Sequence, residues 1–295
     1  MKLPLAFNEI VNEVVRFTDL PRAEVEHRVW MQAVAPGWNV RRDAVRFGVT
    51  PHQFDEQMER LYREGDGFIF ETLVFWAKQN RSRWTEQALD RIARYAALIG
   101  RDPSHIRILI LGDGVGNDSL FLAGNGFKVD YYEVPGSKTF DFAVKRFEHY
   151  GFLNRCIRPV HDYDHCLAQR YDVVISFEVL EHLPHPVMAI EDISTMLKTG
   201  GIALVTEDFD DIVEHLPTHL RLNSRLAGRT PFLFLKSKML LSWYSRETLF
   251  KPYEFTKVNR TSLADFLSLL RDGHVRGLYL ASYVRPIARK IRKLA

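Results

Sequence analysis

Cysteine is almost missing from this 295-residue chain, and the two present, Cys156 and Cys166, make neither a disulfide framework nor a metal-type spacing. A reducing compartment, the cytoplasm, is the expected location. Long apolar runs are missing too: none reaches the length of a membrane span, and the opening MKLPLAFNEIVNEVVRF carries acids inside its apolar stretch, so neither a span nor an export signal is expected. Charge of one sign is not in excess. Forty basic against 37 acidic residues leave +3, which gives no argument for a nucleic-acid partner. What remains is an ordinary globular composition, long enough for one large domain with additions.

One stretch organises the rest, IRILILGDGVGNDSLFLAGNGFKVDYYE from Ile106 to Glu133. An apolar run breaks into glycines at alternate positions, Gly112, Gly114 and Gly116, followed by a helix-like segment and a second apolar strand ending in an acid. This pattern predicts a strand, tight turn, helix and strand, the start of a doubly wound sheet. Glycine lets the backbone turn there and lets a ligand lie against it. Glu133, at the tip of the second strand, is placed to accept both hydroxyls of a ribose. The spacing is G-x-G-x-G, not the G-x-G-x-x-G of a dinucleotide site, and Asp118 beside the helix N-terminus would repel phosphate. The string Gly136-Ser137-Lys138-Thr139 lacks the spacing of a phosphate loop and is set aside.

Further strands are expected at Cys156 to Val160, Tyr171 to Ser176 and Gly200 to Thr206, with FEVLEHLPHP after the fourth and a Lys-Thr-Gly-Gly turn before the fifth. Taken in order over Arg107 to Glu207, these motifs resemble the class I S-adenosylmethionine-dependent methyltransferases of the small-molecule type. The resemblance implies an α/β, Rossmann-like doubly wound sheet and S-adenosyl-L-methionine as cofactor. It places Gly112, Asp113, Gly114, Gly116 and Glu133 around that cofactor. Asp162, with Asp164 second, falls where the family bonds the adenine amine, and Tyr163 and Phe177 join the same set. One departure is Ile110, where the family usually has an acid; Asp113 or backbone carbonyls are the expected substitutes for holding the methionine amino group.

Glu178, Glu181 and His182 read E-x-x-E-H, and on a helix they would share one face. Two carboxylates and an imidazole suit a divalent cation. The segment resembles the metal-binding motif of the small-RNA 3′-end 2′-O-methyltransferases and of some ubiquinone-pathway O-methyltransferases, with His215 or His219 to complete it. Glu-His-Leu at this place is also common in small-molecule methyltransferases that use no metal. In that case His182 is the candidate base for an acceptor hydroxyl, with Glu178, His215 and His219 nearby, and His185 shapes the turn.

Residues 1–101 read as a helical region that packs on the sheet domain, 102–295. Helices are expected to start at Asp19, at Thr50-Pro51 with Gln53 in a capping box, and at Thr85; the segment FIFETLVFW lies between the last two. Residues 208–253 read as a lid or substrate-binding insertion, with an oligomer contact or membrane-facing patch as the other reading. A helix at Ser262 to Leu270, a strand at His274 to Tyr283 and a basic tail end the chain. The expected function is O-methylation of a small molecule or glycan hydroxyl. The alternatives are metal-assisted RNA 2′-O-methylation, a non-catalytic cofactor-binding protein and a nicotinamide dehydrogenase.

Overall fold

Central strands buried along most of their length set the architecture of the computed structural model, which describes residues 5–248 and 251–259 together with 267, 271, 273 and 275–281. Six helices come first: α1 (Phe7–Phe17), α2 (Arg22–Val34), α3 (Trp38–Phe47), α4 (Glu56–Glu64), α5 (Gly67–Trp76) and α6 (Gln79–Leu98). Then strand and helix alternate through β1 (Arg107–Leu111), α7 (Asn117–Gly124), β2 (Lys128–Tyr132), α8 (Lys138–His149), β3 (Ile157–Val160), α9 (Tyr163–Ala168), β4 (Tyr171–Phe177), α10 (Pro186–Met196) and β5 (Leu197–Thr206). After them come α11 (Thr230–Lys236), β6 (Met239–Tyr244) and β7 (Tyr253–Lys257). The seven strands form one sheet in the order β3-β2-β1-β4-β5-β7-β6, with β1 to β5 parallel and β7 antiparallel to both neighbours. This is the Rossmann-like arrangement expected from the motifs, with its order reversing between β1 and β4, where such sheets bind ligands.

Because side chains alternate along a strand, β1 sends Leu109 and Leu111 to the face covered by α10 and α11, and Ile108 and Ile110 to the face covered by α6. Ile110 is 1% exposed and packs in the cluster that holds Trp84, Ile92 and Phe177. An acid there would lie unpaired in an apolar layer, at a cost of several kcal/mol, roughly.

Several expectations are corrected. The helix expected from Thr50 begins at Glu56, where the Asp55 side chain accepts from the Met58 N–H at 2.9 Å; His52 instead takes a left-handed backbone, φ 66°. Thr85 caps nothing: it sits inside α6, and its hydroxyl donates to the buried Asp118. Asp118 also pairs with Arg81 at 2.6 Å and accepts from the Trp76 indole at 2.7 Å, so its charge is compensated by α5 and α6. The expected insertion 208–253 contains β6, an edge strand of the sheet, because MLLSWY buries Met239, Leu240 and Leu241 and pairs with β7. Residues 275–281 are helical where a strand was expected, and Tyr279 packs there on Phe232. The helix expected at 262–270 (Leu267 apart) and the basic tail lie outside the described residues. Among the described residues, no helix is long and apolar enough to cross a membrane.

Candidate functional site

A cavity of about 620 Å³ opens at the carboxyl ends of β1, β2 and β4, between the sheet, the N-terminal helices and the segment after β5. Its volume lies within the roughly 300–1,000 Å³ of small-ligand sites. Gly112, Asp113 and Gly114 form its floor. Gly112 and Gly114 have φ of 71° and 57°, which a side chain would strain; a Cβ on Gly112 would stand 2.5 Å from Val179, and one on Gly114 would stand 3.0 Å from Thr72. Glu133 lines the cavity from the tip of β2, and its two oxygens accept from the Gly114 and Val134 N–H groups, each at 2.9 Å. Burial raises its pKa. Phe177 forms a wall, packed edge-on against Trp84.

The other residues of the expected cofactor set are turned to structural work. Gly116 does not line the cavity; a Cβ there would meet the Phe147 ring at 2.3 Å. Asp113 reaches the cavity wall, but its two oxygens accept from the Asp118 and Ser119 N–H groups at 3.0 and 2.7 Å, so it secures the start of α7. Asp162 caps α9 by accepting from the Asp164 N–H, and the Tyr163 hydroxyl donates to Asp192; neither lines the cavity.

The E-x-x-E-H segment is not one helical face. Glu178 takes a left-handed backbone, φ 56°, and only Leu180–His182 form a short 3-10 turn. Glu178 therefore stands apart, paired with Lys251 at 3.5 Å, and Lys251 also reaches Asp208 at 3.2 Å. Burial pulls the Lys251 pKa down, but the carboxylates of Glu178, Asp208 and Glu207 outweigh it and hold the ammonium charged. The turn instead joins Glu181 and His182 to His219, with one ligand atom of each within 4.8 Å of the others. Glu181 is fully buried, and neither of its oxygens has a hydrogen-bond partner among the described residues. Burial, then the nearby Glu178 charge, raises its pKa well above the carboxylate range.

His182 Nδ1 donates to the Thr218 carbonyl at 3.1 Å, which leaves Nε2 with its lone pair free. Burial lowers its pKa to about 4, and burial with the neighbouring His182 lowers that of His219 to about 3. His219 Nδ1 has no hydrogen-bond partner among the described residues. Two neutral imidazoles beside a buried carboxylate fit a divalent cation, and Glu178 is not part of that set. His215 lines the cavity outside this group, with its carbonyl against Gly37.

His52 was not legible as a site residue. Its Nδ1 donates to the His219 carbonyl at 2.9 Å, its N–H donates to the Pro217 carbonyl, and its own carbonyl accepts from Arg221. It thereby fixes the segment that carries His219. Lys251 and Glu71 were missed for the same reason: only the fold brings them to the cavity wall or its charged rim.

The sequence profile of a methyltransferase domain matches residues 76–255. The chain belongs to that family. It is an S-adenosylmethionine-dependent methyltransferase. The methyltransferase shares 11% identity with an O-methyltransferase family protein from Burkholderia thailandensis, over 80% of this chain and 72% of that one, with a TM-score of 0.48. With the O-methyltransferase of a trans-AT PKS multienzyme from Brevibacillus brevis, in complex with S-adenosyl-L-homocysteine, it shares 13% identity over 72% and 74%, at a TM-score of 0.39. With the cyclase SpnF it shares 18% over 54% of this chain and 59% of that one, at 0.41. None of these likenesses bears on the acceptor. Among curated proteins, none matches the chain significantly.

Proposed function

We propose that this methyltransferase moves a methyl group from S-adenosylmethionine to a hydroxyl of a small molecule or glycan enclosed in the cavity. The observation that carries this reading is the continuity of one cavity from the glycine turn and Glu133 to His182 and His219. Glu133 would hold the ribose, Gly112 and Gly114 would admit the cofactor backbone, and the residues just past β4 would face the methyl. Methyl transfer needs alignment of acceptor and methyl, worth several kcal/mol, roughly, and a hydroxyl acceptor must also lose a proton. His182, neutral and with a free ring nitrogen, can take that proton. Asp208, Asp211, His215 and Leu216, on the segment after β5, would roof the acceptor.

A divalent cation is the second part of the proposal, and the unpartnered Glu181 carboxylate supports it. Glu181, His182 and His219 would hold it; when bound it would lower the pKa of a coordinated hydroxyl. In that case the imidazoles serve as ligands and do not carry the proton.

Transfer of labelled methyl into fractionated lysate of the source cell, with and without chelator, tests both parts. Label in the small-molecule or glycan fraction that chelator abolishes supports both, and label that chelator leaves intact removes the cation. Label in RNA alone would replace the acceptor class. Glu133→Ala should weaken S-adenosylhomocysteine binding about tenfold or more by calorimetry, as loss of charge-assisted hydrogen bonds does; unchanged affinity would remove Glu133 from the site.

A further inference from the structure

S-adenosylmethionine brings into the cavity an α-ammonium group, which leaves water only if an acceptor replaces its hydration. Neither the strand position where related chains carry an acid nor the Asp113 side chain expected in its place is suited. Ile110 is apolar and lies under α6, and both Asp113 oxygens secure the start of α7. The other acids around the site are engaged: Glu133 with backbone N–H groups at the ribose end, Glu178 and Asp208 with Lys251, and Glu181 beside the two imidazoles. Glu59 lines the outer wall and is exposed, and Asp211 stands on the His219 side.

Glu71 is different. It lines the cavity from α5, and no hydrogen bond or ion pair joins it to any described residue. The next residue, Thr72, is the side chain that rests on Gly114, so α5 lies directly against the glycine turn. Lys78 lines the same wall two turns further along the chain and acts on Glu71 through space. The wall thus presents an acid without a hydrogen bond or ion pair among the described residues, with a base further along, beside the backbone turn along which the cofactor would lie.

We propose that Glu71 receives the α-ammonium group of S-adenosylmethionine, with Lys78 beside it for the α-carboxylate. The acid that strand β1 lacks at Ile110 is supplied by the N-terminal helical region. Burial raises the Glu71 pKa to about 7, as befits a carboxylate whose cation is not part of the chain.

The inference rests on the cofactor and not on the acceptor, and binding alone tests it. Calorimetry on the full chain would compare S-adenosylhomocysteine, its desamino analogue and 5′-methylthioadenosine, which lacks the amino acid. Wild-type protein should bind S-adenosylhomocysteine about tenfold to a hundredfold more tightly than the desamino analogue, the usual range for a charge-assisted hydrogen bond. Glu71→Gln should erase that difference while leaving methylthioadenosine affinity unchanged, which also shows that the variant is folded. Equal affinity of the wild type for the first two ligands would overturn the proposal without any variant. So would a Glu71→Gln protein that keeps the discrimination but loses turnover, since Glu71 would then act on the acceptor. Binding of none of the three would overturn the cofactor assignment, and Glu71's role with it.

Discussion

Glu181 poses an energetic problem at the scale of one residue, because a buried carboxylate without a hydrogen-bond partner among the described residues is among the costliest groups a fold can hold. Glu181→Gln should therefore raise the melting temperature of the metal-free protein by about 2–4 °C, equivalent to roughly 1 kcal/mol in a chain of this size. Added divalent cation should stabilise the wild type and leave the variant unmoved; scanning calorimetry with and without metal reads both. Glu71 makes a second prediction, with a sign fixed by linkage. Its pKa rises from 4.5 unfolded to about 7 folded, so the folded protein binds the extra proton between those values. Its stabilising contribution is present below about pH 4.5 and is lost as the pH climbs towards 7. The wild-type melting temperature should fall relative to that of Glu71→Gln over this window, and a pH series on both proteins measures it.

Among the elements, α5, α6 and α7 meet at Asp118, which is buried together with Arg81 and bonded to Trp76 and Thr85. Burial pushes the Asp118 pKa up, but Arg81 and the donors around it hold it below the usual range. Asp118→Asn leaves Arg81 buried without its charge partner, and the expected loss is about 3–5 kcal/mol in denaturant unfolding. Strands β1, β4 and β5 were legible because each carries an apolar run buried on both faces, ILIL, VVI and IALV, whereas β2 and β3, which carry Asp130 and Arg158, were legible from their place in the motif order. The same rule misled at the far edge. MLLSWY lies among basic and aromatic residues and read as a lid, while 275–281 is a short apolar segment whose period cannot separate strand from helix. At the candidate site, the places of Gly112, Gly114 and Glu133 at the cavity were legible because all three belong to one local strand-turn-helix-strand unit. The E-x-x-E-H spacing misled because Glu178 leaves helical geometry, and His219 joins the set from the segment after β5.

Across the whole molecule, the N-terminal helices and the segment after β5 meet over the cavity at two points. Gly37 lies against the His215 carbonyl, and His52 is hydrogen-bonded to Pro217, His219 and Arg221. His52→Ala should loosen His219 without touching the cofactor end. The expected result is a fall in kcat of about fivefold to tenfold, the loss of one hydrogen bond at roughly 1 kcal/mol, with S-adenosylhomocysteine affinity unchanged. Turnover and calorimetry on the same preparation check it.

The family profile starts at residue 76, whereas Gly37, His52, Tyr62, Glu71 and Thr72 all precede it. The cavity is therefore enclosed by two parts of the chain, the helices before residue 76 and the segment after β5 within the matched region. Exchange of the first seventy-odd residues between relatives would alter the cavity wall and, through His52, the support of His219 at the same time, so that enclosure and transfer are expected to change together.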